Sequence, residues 1–286
     1  MSTTQTDLIL TAEDGRPVYA ALYEPAQGNG FVAVINSAVL TPRQYYRRFA
    51  THLAGRGFTV LTYDYRGVIR PGAHIRDEAG GIIDWGRYDQ TAALACALER
   101  FAHLRPVMVA HSLGGQIVGL SPLAGRLRAI FMMGTAHGYW RRWRERRRRL
   151  RMLFMWHLVA PPLIRALGYF PGDWFGELRL PRKAAWEMRR FCLHPNWLCD
   201  EQGRRYRPHN DDIRAPLRHL LVSDDEVVTP GGEIDLADFY PNAAWTEDRR
   251  TPADFGVGAI GHFGFFRRTM PEAAWDEVAD WLIANG

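Results

Sequence analysis

The sequence predicts an α/β protein: a mostly parallel central sheet flanked by helices, with a mainly helical insertion. Three observations predict it. Short apolar runs recur at residues 31–35, 58–63, 107–110, 128–133 and 217–222, each with the length of a buried strand. Stretches with helical spacing of apolar residues separate them, and strands alternating with helices in this way pair in parallel. The rhythm then breaks over residues 139–208, which hold long apolar runs, several prolines and a dense arginine run, before a strand resumes the pattern. We therefore expect a core of residues 1–138 and 209–286, with residues 139–208 inserted as a cap over the strand ends. No internal repeat is visible.

The elements follow in order. Residues 8–11 and 18–23 read as two strands around the turn Glu13-Asp14-Gly15-Arg16, an antiparallel hairpin leading into the sheet. Residues 31–35 form a compact apolar strand that runs into the small-residue loop Asn36-Ser37-Ala38-Val39. Helical spacing covers residues 45–53 and stops at Gly55 and Gly57. The strand 58–63 ends in Asp64-Tyr65-Arg66-Gly67, and after a glycine-rich loop a helix is expected over 85–101, capped by Asp84. A strand near 243–246 and a helix over 272–283 close the chain.

Composition bounds the class. With 286 residues, 47% hydrophobic and 23% charged, the chain has the balance of a soluble globular protein. Its net charge of +5 is carried almost wholly by arginine, since Lys183 is the only lysine, and so modest an excess is a weak argument for nucleic acid. Residues 1–7 lack a basic and an apolar segment, so no secretory signal is expected, and no run reaches the roughly 18 uncharged apolar residues of a membrane span. Three cysteines give no even disulfide framework, and a cytoplasmic location is the expectation.

The chemistry concentrates after the strand 107–110, in His111-Ser112-Leu113-Gly114-Gly115. A strand that turns sharply into a helix lifts a serine hydroxyl clear of the backbone, and such a turn needs small residues two before and two after the serine. Ala110 and Gly114 occupy those places, and a helix is expected from Gln116. An ordinary strand-to-helix turn is the bland alternative. A carboxylate is needed after a late strand, and either Asp224 or Asp225 serves. Asp225 is favoured because Glu226-Val227-Val228 continues the spacing of such loops, while an acidic helix-capping turn is the competing reading. His262, between Gly261 and Gly264, is the only histidine after that acid. Serine, acid, histidine is a recognisable chain order for nucleophilic acyl transfer.

On Asn36-Ser37-Ala38, Tyr45-Tyr46, Phe49-Ala50, the run Tyr63 to Gly67, Asp84-Trp85, the run His111 to Gly115 and the run Ile260 to Phe265, the chain resembles the α/β-hydrolase superfamily. Within it the chain is similar to a bacterial branch of hydrolases related to serine aminopeptidase-like and monoglyceride-lipase-like proteins. The resemblance implies a nucleophile elbow at Ser112 and an oxyanion hole made by the backbone N–H groups of Leu113 and Ala38. It departs from the usual pattern at Ala110, where glycine is common, and at Val68-Ile69-Arg70-Pro71, where a small residue and a serine are common.

The expected activity is a serine esterase, Ser112–His262–Asp225, acting on a small acyl ester through an acyl-enzyme, with no metal or organic cofactor. Acyl transfer, amide or thioester hydrolysis, and a non-catalytic binding module are the alternatives. Cys192, His194, Cys199 and His209 match no common zinc spacing. His111 is expected to support the elbow. The cap's Trp156, Phe170, Trp174, Phe175 and Trp186 are expected to be mostly core, with some lining an acyl pocket. From Arg141 to Arg151 there are eight arginines among apolar neighbours. A solvated cap helix whose arginines pair with the chain's own carboxylates is the plain reading of that run, contact with an anionic membrane surface or capture of an acidic substrate the functional one, and nucleic acid the least favoured.

Overall fold

The computed structural model describes residues 3–68, 74–143, 145–175, 179–228 and 234–286. Ile69, Arg70, Pro71, Arg144 and Pro230 lie outside the described residues, as does the side chain of Phe175.

The chain opens with the hairpin β1 (Thr4–Thr11) and β2 (Pro17–Glu24), paired antiparallel. All six residues of β3 (Phe31–Asn36) are buried, as an apolar run with no polar alternation requires. A short 3-10 turn then leads into α1 (Arg47–Gly55), which buries Phe49, Ala50 and Leu53 at helical spacing. After β4 (Thr59–Tyr63) come α2 (Ile82–Asp84), a π turn, and α3 (Thr91–Arg100). The helical run begins three residues earlier than expected, at Ile82. Asp84 sits inside the first turn, its carboxylate accepting the Gly81 N–H at 2.8 Å, rather than ahead of the helix.

β5 (Arg105–His111), α4 (Leu113–Gln116) and β6 (Ala129–Met133) carry the serine turn. The helix after Ser112 starts at Leu113, not Gln116. The inserted segment builds α5 (Arg146–Phe154), a π turn (Met155–Val159) and α6 (Ala160–Leu167). A two-residue hairpin follows, β7 (Tyr169–Phe170) with β8 (Leu180–Pro181), and then α7 (Arg182–Leu193). The arginine run is helical only from Arg146, since Trp140–Arg142 is a separate 3-10 turn. β9 (Leu217–Val222), α8 (Leu236–Phe239), β10 (Trp245–Arg250) and α9 (Glu272–Asn285) complete the fold.

The eight-stranded sheet runs β1-β2-β4-β3-β5-β6-β9-β10. β1 and β2 enter antiparallel and every neighbouring pair from β4 to β10 is parallel. One face packs against α1 and α9 through Phe49, Leu53, Trp275 and Leu282; the other packs against α3 and the inserted segment through Leu94, Trp156 and Phe191. Burying each such side chain contributes about 1.5–3 kcal/mol. β5 therefore lies mid-sheet with both faces covered, and its C-terminal end is a rigid platform.

Several ties hold the insertion down, three of them to α2 and α4. Lys183 Nζ reaches Asp84 at 2.7 Å, buried Glu187 accepts the Ile83 N–H at 3.1 Å, and Trp197 Nε1 donates to Gln116 Oε1 at 2.6 Å. Burial raises the Glu187 carboxyl above its usual range, which the N–H and the nearby Lys183 partly offset.

Candidate active site

Ser112 occupies the turn from β5 to α4 with φ +54° and ψ −119°, a backbone conformation that a residue with a side chain rarely adopts. The surrounding packing over-determines it. The Ser112 N–H donates to the Met133 carbonyl at 2.9 Å, and the Gly115 N–H returns to the Ser112 carbonyl at 3.0 Å. A Cβ on Gly114 would stand 2.6 Å from the Asn36 carbonyl oxygen and 2.7 Å from that of Ser37, both backbone atoms that cannot yield. The glycine thus lets the turn close against the end of β3, where Asn36 Nδ2 also donates to the Gly114 carbonyl at 3.1 Å.

His262 Nε2 stands 2.8 Å from Ser112 Oγ, and its Nδ1 stands 2.8 Å from Asp225 Oδ2. A carboxylate only accepts, so Nδ1 carries the proton and Nε2 is left to accept from the serine hydroxyl. Asp225 Oδ1 in turn accepts the N–H groups of Val227 at 2.8 Å and Val228 at 3.0 Å. Burial works against ionising Asp225, but the hydrogen bond and charge of His262 and those two N–H groups outweigh it, and the carboxyl sits below its usual range. Asp224 plays a different part. It accepts the Ile260 N–H at 2.8 Å and so holds the loop that carries His262. Gly134 leaves room for the pair, since a Cβ there would meet Asp225 Oδ2 at 3.0 Å.

His111, beside the nucleophile, is tied to the loop that carries His262 and to Tyr46. Its Nε2–H donates to the His262 carbonyl at 2.8 Å, leaving Nδ1 to accept the Tyr46 hydroxyl at 2.8 Å. Burial, reinforced by neighbouring His262, drives its pKa down to about 3, so it stays neutral and keeps this tautomer. Tyr45 adds a second tie to the same loop, donating to the Phe263 carbonyl at 2.5 Å. Spacing along the chain gave no sign of the Tyr46–His111 link, which joins residues 65 positions apart.

The loop after β3 corrects one expectation. The Ala38 N–H donates to the Tyr46 hydroxyl oxygen at 2.8 Å, so its single proton is already committed and Ala38 does not offer a free donor to an oxyanion. Val39, the next residue, lines the same cavity as Ser112 and Leu113. Among the described residues no acceptor takes the N–H of Val39 or of Leu113. Backbone donors carry no side-chain signature, so the commitment of the Ala38 N–H to Tyr46 was invisible in the sequence.

No family model and no curated protein matches this chain. Solved structures do. Brefeldin A esterase, a bacterial homologue of human hormone sensitive lipase, superposes with a TM-score of 0.61 at 16% identity, covering 99% of this chain and 77% of its own. An esterase of Pyrococcus furiosus gives 0.61 at 13% identity, covering 99% and 92%. A serine hydrolase of Xanthomonas campestris without a lid gives 0.54 at 12% identity, covering 100% and 94%. The chain has the α/β-hydrolase fold. In this hydrolase fold the serine turn leads to a cavity of about 290 Å³, walled on one side by Val39, Leu113 and Gln116 of the core and on the other by the inserted segment. Met152, Met155, Trp156, Phe170, Leu180 and Met188 make that second wall mostly apolar, with Arg151 as its one charged residue. Of the cap aromatics, Trp156 and Phe170 are buried, Trp186 is partly buried, and Trp174 is 61% exposed rather than core. Among the described residues, no three His, Cys, Asp or Glu side chains gather into a metal-binding set.

Proposed function

We propose that the chain is a serine hydrolase that cleaves carboxylic esters. The observation that carries this reading is the continuous hydrogen-bonded row Asp225–His262–Ser112 on a strained turn, opening into an apolar cavity. Ser112 Oγ attacks the ester carbonyl while His262 Nε2 takes the hydroxyl proton, and Asp225 stabilises the imidazolium that forms. The carbonyl oxygen becomes an oxyanion held by the N–H groups of Leu113 and Val39, each such donor contributing about 10²–10³ in rate. The tetrahedral adduct collapses as His262 returns its proton to the leaving alcohol, which leaves the acyl group on Ser112. Water then attacks with His262 as base, and the acid departs.

The apolar wall favours an acyl chain over a charged side chain on the acid portion of the substrate. The test is labelling with a fluorophosphonate probe, followed by turnover of p-nitrophenyl esters of graded chain length. Labelling should be complete in the wild type and absent in Ser112→Ala. Wild-type protein that neither labels nor turns over any ester of the series would overturn the reading.

A further inference from the structure

The two helices that roof the cavity have an outer face which the chemistry above does not use. α5, the π turn and α6 form one continuous helical run, Arg146–Leu167. Its inner side gives Met152, Met155 and Trp156 to the cavity wall. Its outer side exposes Leu150, Phe154 and Leu158 by 56%, 58% and 65%. These lie four residues apart, so they stack along one face of the helix. Eight large hydrophobic side chains are exposed among the described residues, and three of them form this row. Single exposed apolar residues are ordinary, whereas a row of them marks a surface built to meet something apolar.

Charged residues within this segment hide it from a search for uncharged runs. The helical run Arg146–Leu167 contains an 18-residue window, with no more than two charges, that is long and apolar enough to cross a membrane, yet only 22% of that window is buried in the fold. It does not leave the fold to span anything, because Trp156, Ala160, Pro161 and Ile164 anchor its other side in the core. The charge beside the row is one-sided: residues 141–151 hold eight arginines and one glutamate. Arg148 is occupied with Glu145 at 3.2 Å and with Glu226 at 3.9 Å.

We propose that this outer face docks in the plane of an anionic lipid surface. Leu150, Phe154 and Leu158 enter the boundary between headgroups and acyl chains, and the exposed Arg141, Arg146 and Arg147 meet the headgroup phosphates. Both halves of the surface point to the same partner: a nucleic acid satisfies the arginines but not the apolar row, and a neutral apolar partner satisfies the row but not the arginines. Docking brings the cavity within about one helix diameter, roughly 10–12 Å, of the lipid.

Docking does not depend on the chemistry at Ser112, so it is tested on the full chain carrying Ser112→Ala. Such protein should co-sediment with vesicles of phosphatidylcholine mixed with phosphatidylglycerol, and much less with pure phosphatidylcholine vesicles. Adding salt should weaken the binding. On the same background, Phe154→Ser with Leu158→Ser, and separately Arg146→Gln with Arg147→Gln, should each lower binding by about tenfold or more. In the otherwise wild-type chain these four positions lie outside the cavity wall, so turnover of a soluble short-chain ester should stay unchanged and report that the variants fold. Three results would overturn the proposal: no preference for phosphatidylglycerol, undiminished binding of the Phe154/Leu158 variant, or a dimer that this variant converts to monomer. The last would mean that a second copy of the chain covers the row.

Discussion

Replacing Asp225 with asparagine removes the acceptor for the His262 Nδ1–H while leaving the shape of the site nearly intact. The amide presents a donor or a weaker acceptor, and the imidazole loses its preferred tautomer. We expect kcat to fall by about 10³–10⁴ with little change in KM. Asp224→Asn should lose far less, because among the described residues the Asp224 carboxylate accepts the Ile260 N–H alone and an amide oxygen can do the same. Steady-state kinetics on one soluble ester decides between them, and equal losses would refute the assignment of Asp225. Tyr46→Phe probes the second network. It strands the Ala38 N–H and His111 Nδ1 in a fully buried place, and each stranded group costs about 1–3 kcal/mol. A urea midpoint unchanged from wild type would show that the hydroxyl is dispensable.

At the scale of elements, the serine turn depends on how closely α4 approaches the end of β3. Gly114→Ala pushes a methyl group against two carbonyl oxygens that neither rotate nor retreat, so either the turn or the loop at Ser37 must shift. We expect a loss of about 1–3 kcal/mol in stability, together with loss of fluorophosphonate labelling. A variant that labels at the wild-type rate would mean that the close approach is not needed. The cap makes a separate prediction, because Met155 lies on the cavity wall and projects from a π turn, whose wider winding recurs at functional sites. Met155→Ala deepens the apolar wall and should move the best p-nitrophenyl ester towards longer acyl chains. An unchanged chain-length profile would place the acyl group elsewhere.

For the whole molecule, two buried histidines weigh against stability in acid, while Asp89, whose carboxyl is raised by burial to about 6, works the other way between about pH 6 and 4. His111 and His137 are both held neutral, with pKa values near 3 against 6.5 when exposed; burial is the main cause in each, aided by His262 for the first and by Arg142 for the second. A base whose folded pKa is depressed binds its proton only in the unfolded state across that interval. Each histidine's contribution to stability therefore falls as pH drops from about 6.5 towards 3, by about 1.4 kcal/mol per pH unit. Above pH 6.5 neither contributes a slope. Urea unfolding of wild type and His111→Gln at pH 7.5, 6 and 5 checks this. The variant should be less stable at pH 7.5 yet lose less on acidification, and parallel curves would mean that His111 is not held neutral.

Chain order and local spacing already contained much of this protein. The apolar runs announced the strands, because a strand buried on both faces has no polar side to show. Small residues around Ser112 announced the sharp turn, because only they permit it. His262 stood out as the only histidine behind the acidic loop. Element ends were less legible: the helix before α3 started at Ile82, and the arginine run became helical only at Arg146, because caps and close packing set such boundaries. Three matters were left to tertiary structure. Which of two adjacent aspartates meets His262 depends on how the loop after β9 bends. Whether the Ala38 N–H is left free after β3 depends on Tyr46, eight residues on, claiming it. Whether Leu150, Phe154 and Leu158 face the core or solvent depends on which side of their helix the anchors Trp156 and Ile164 pull inward. In each, the deciding partner is distant in sequence or a backbone group, and neither leaves a mark on local residue spacing.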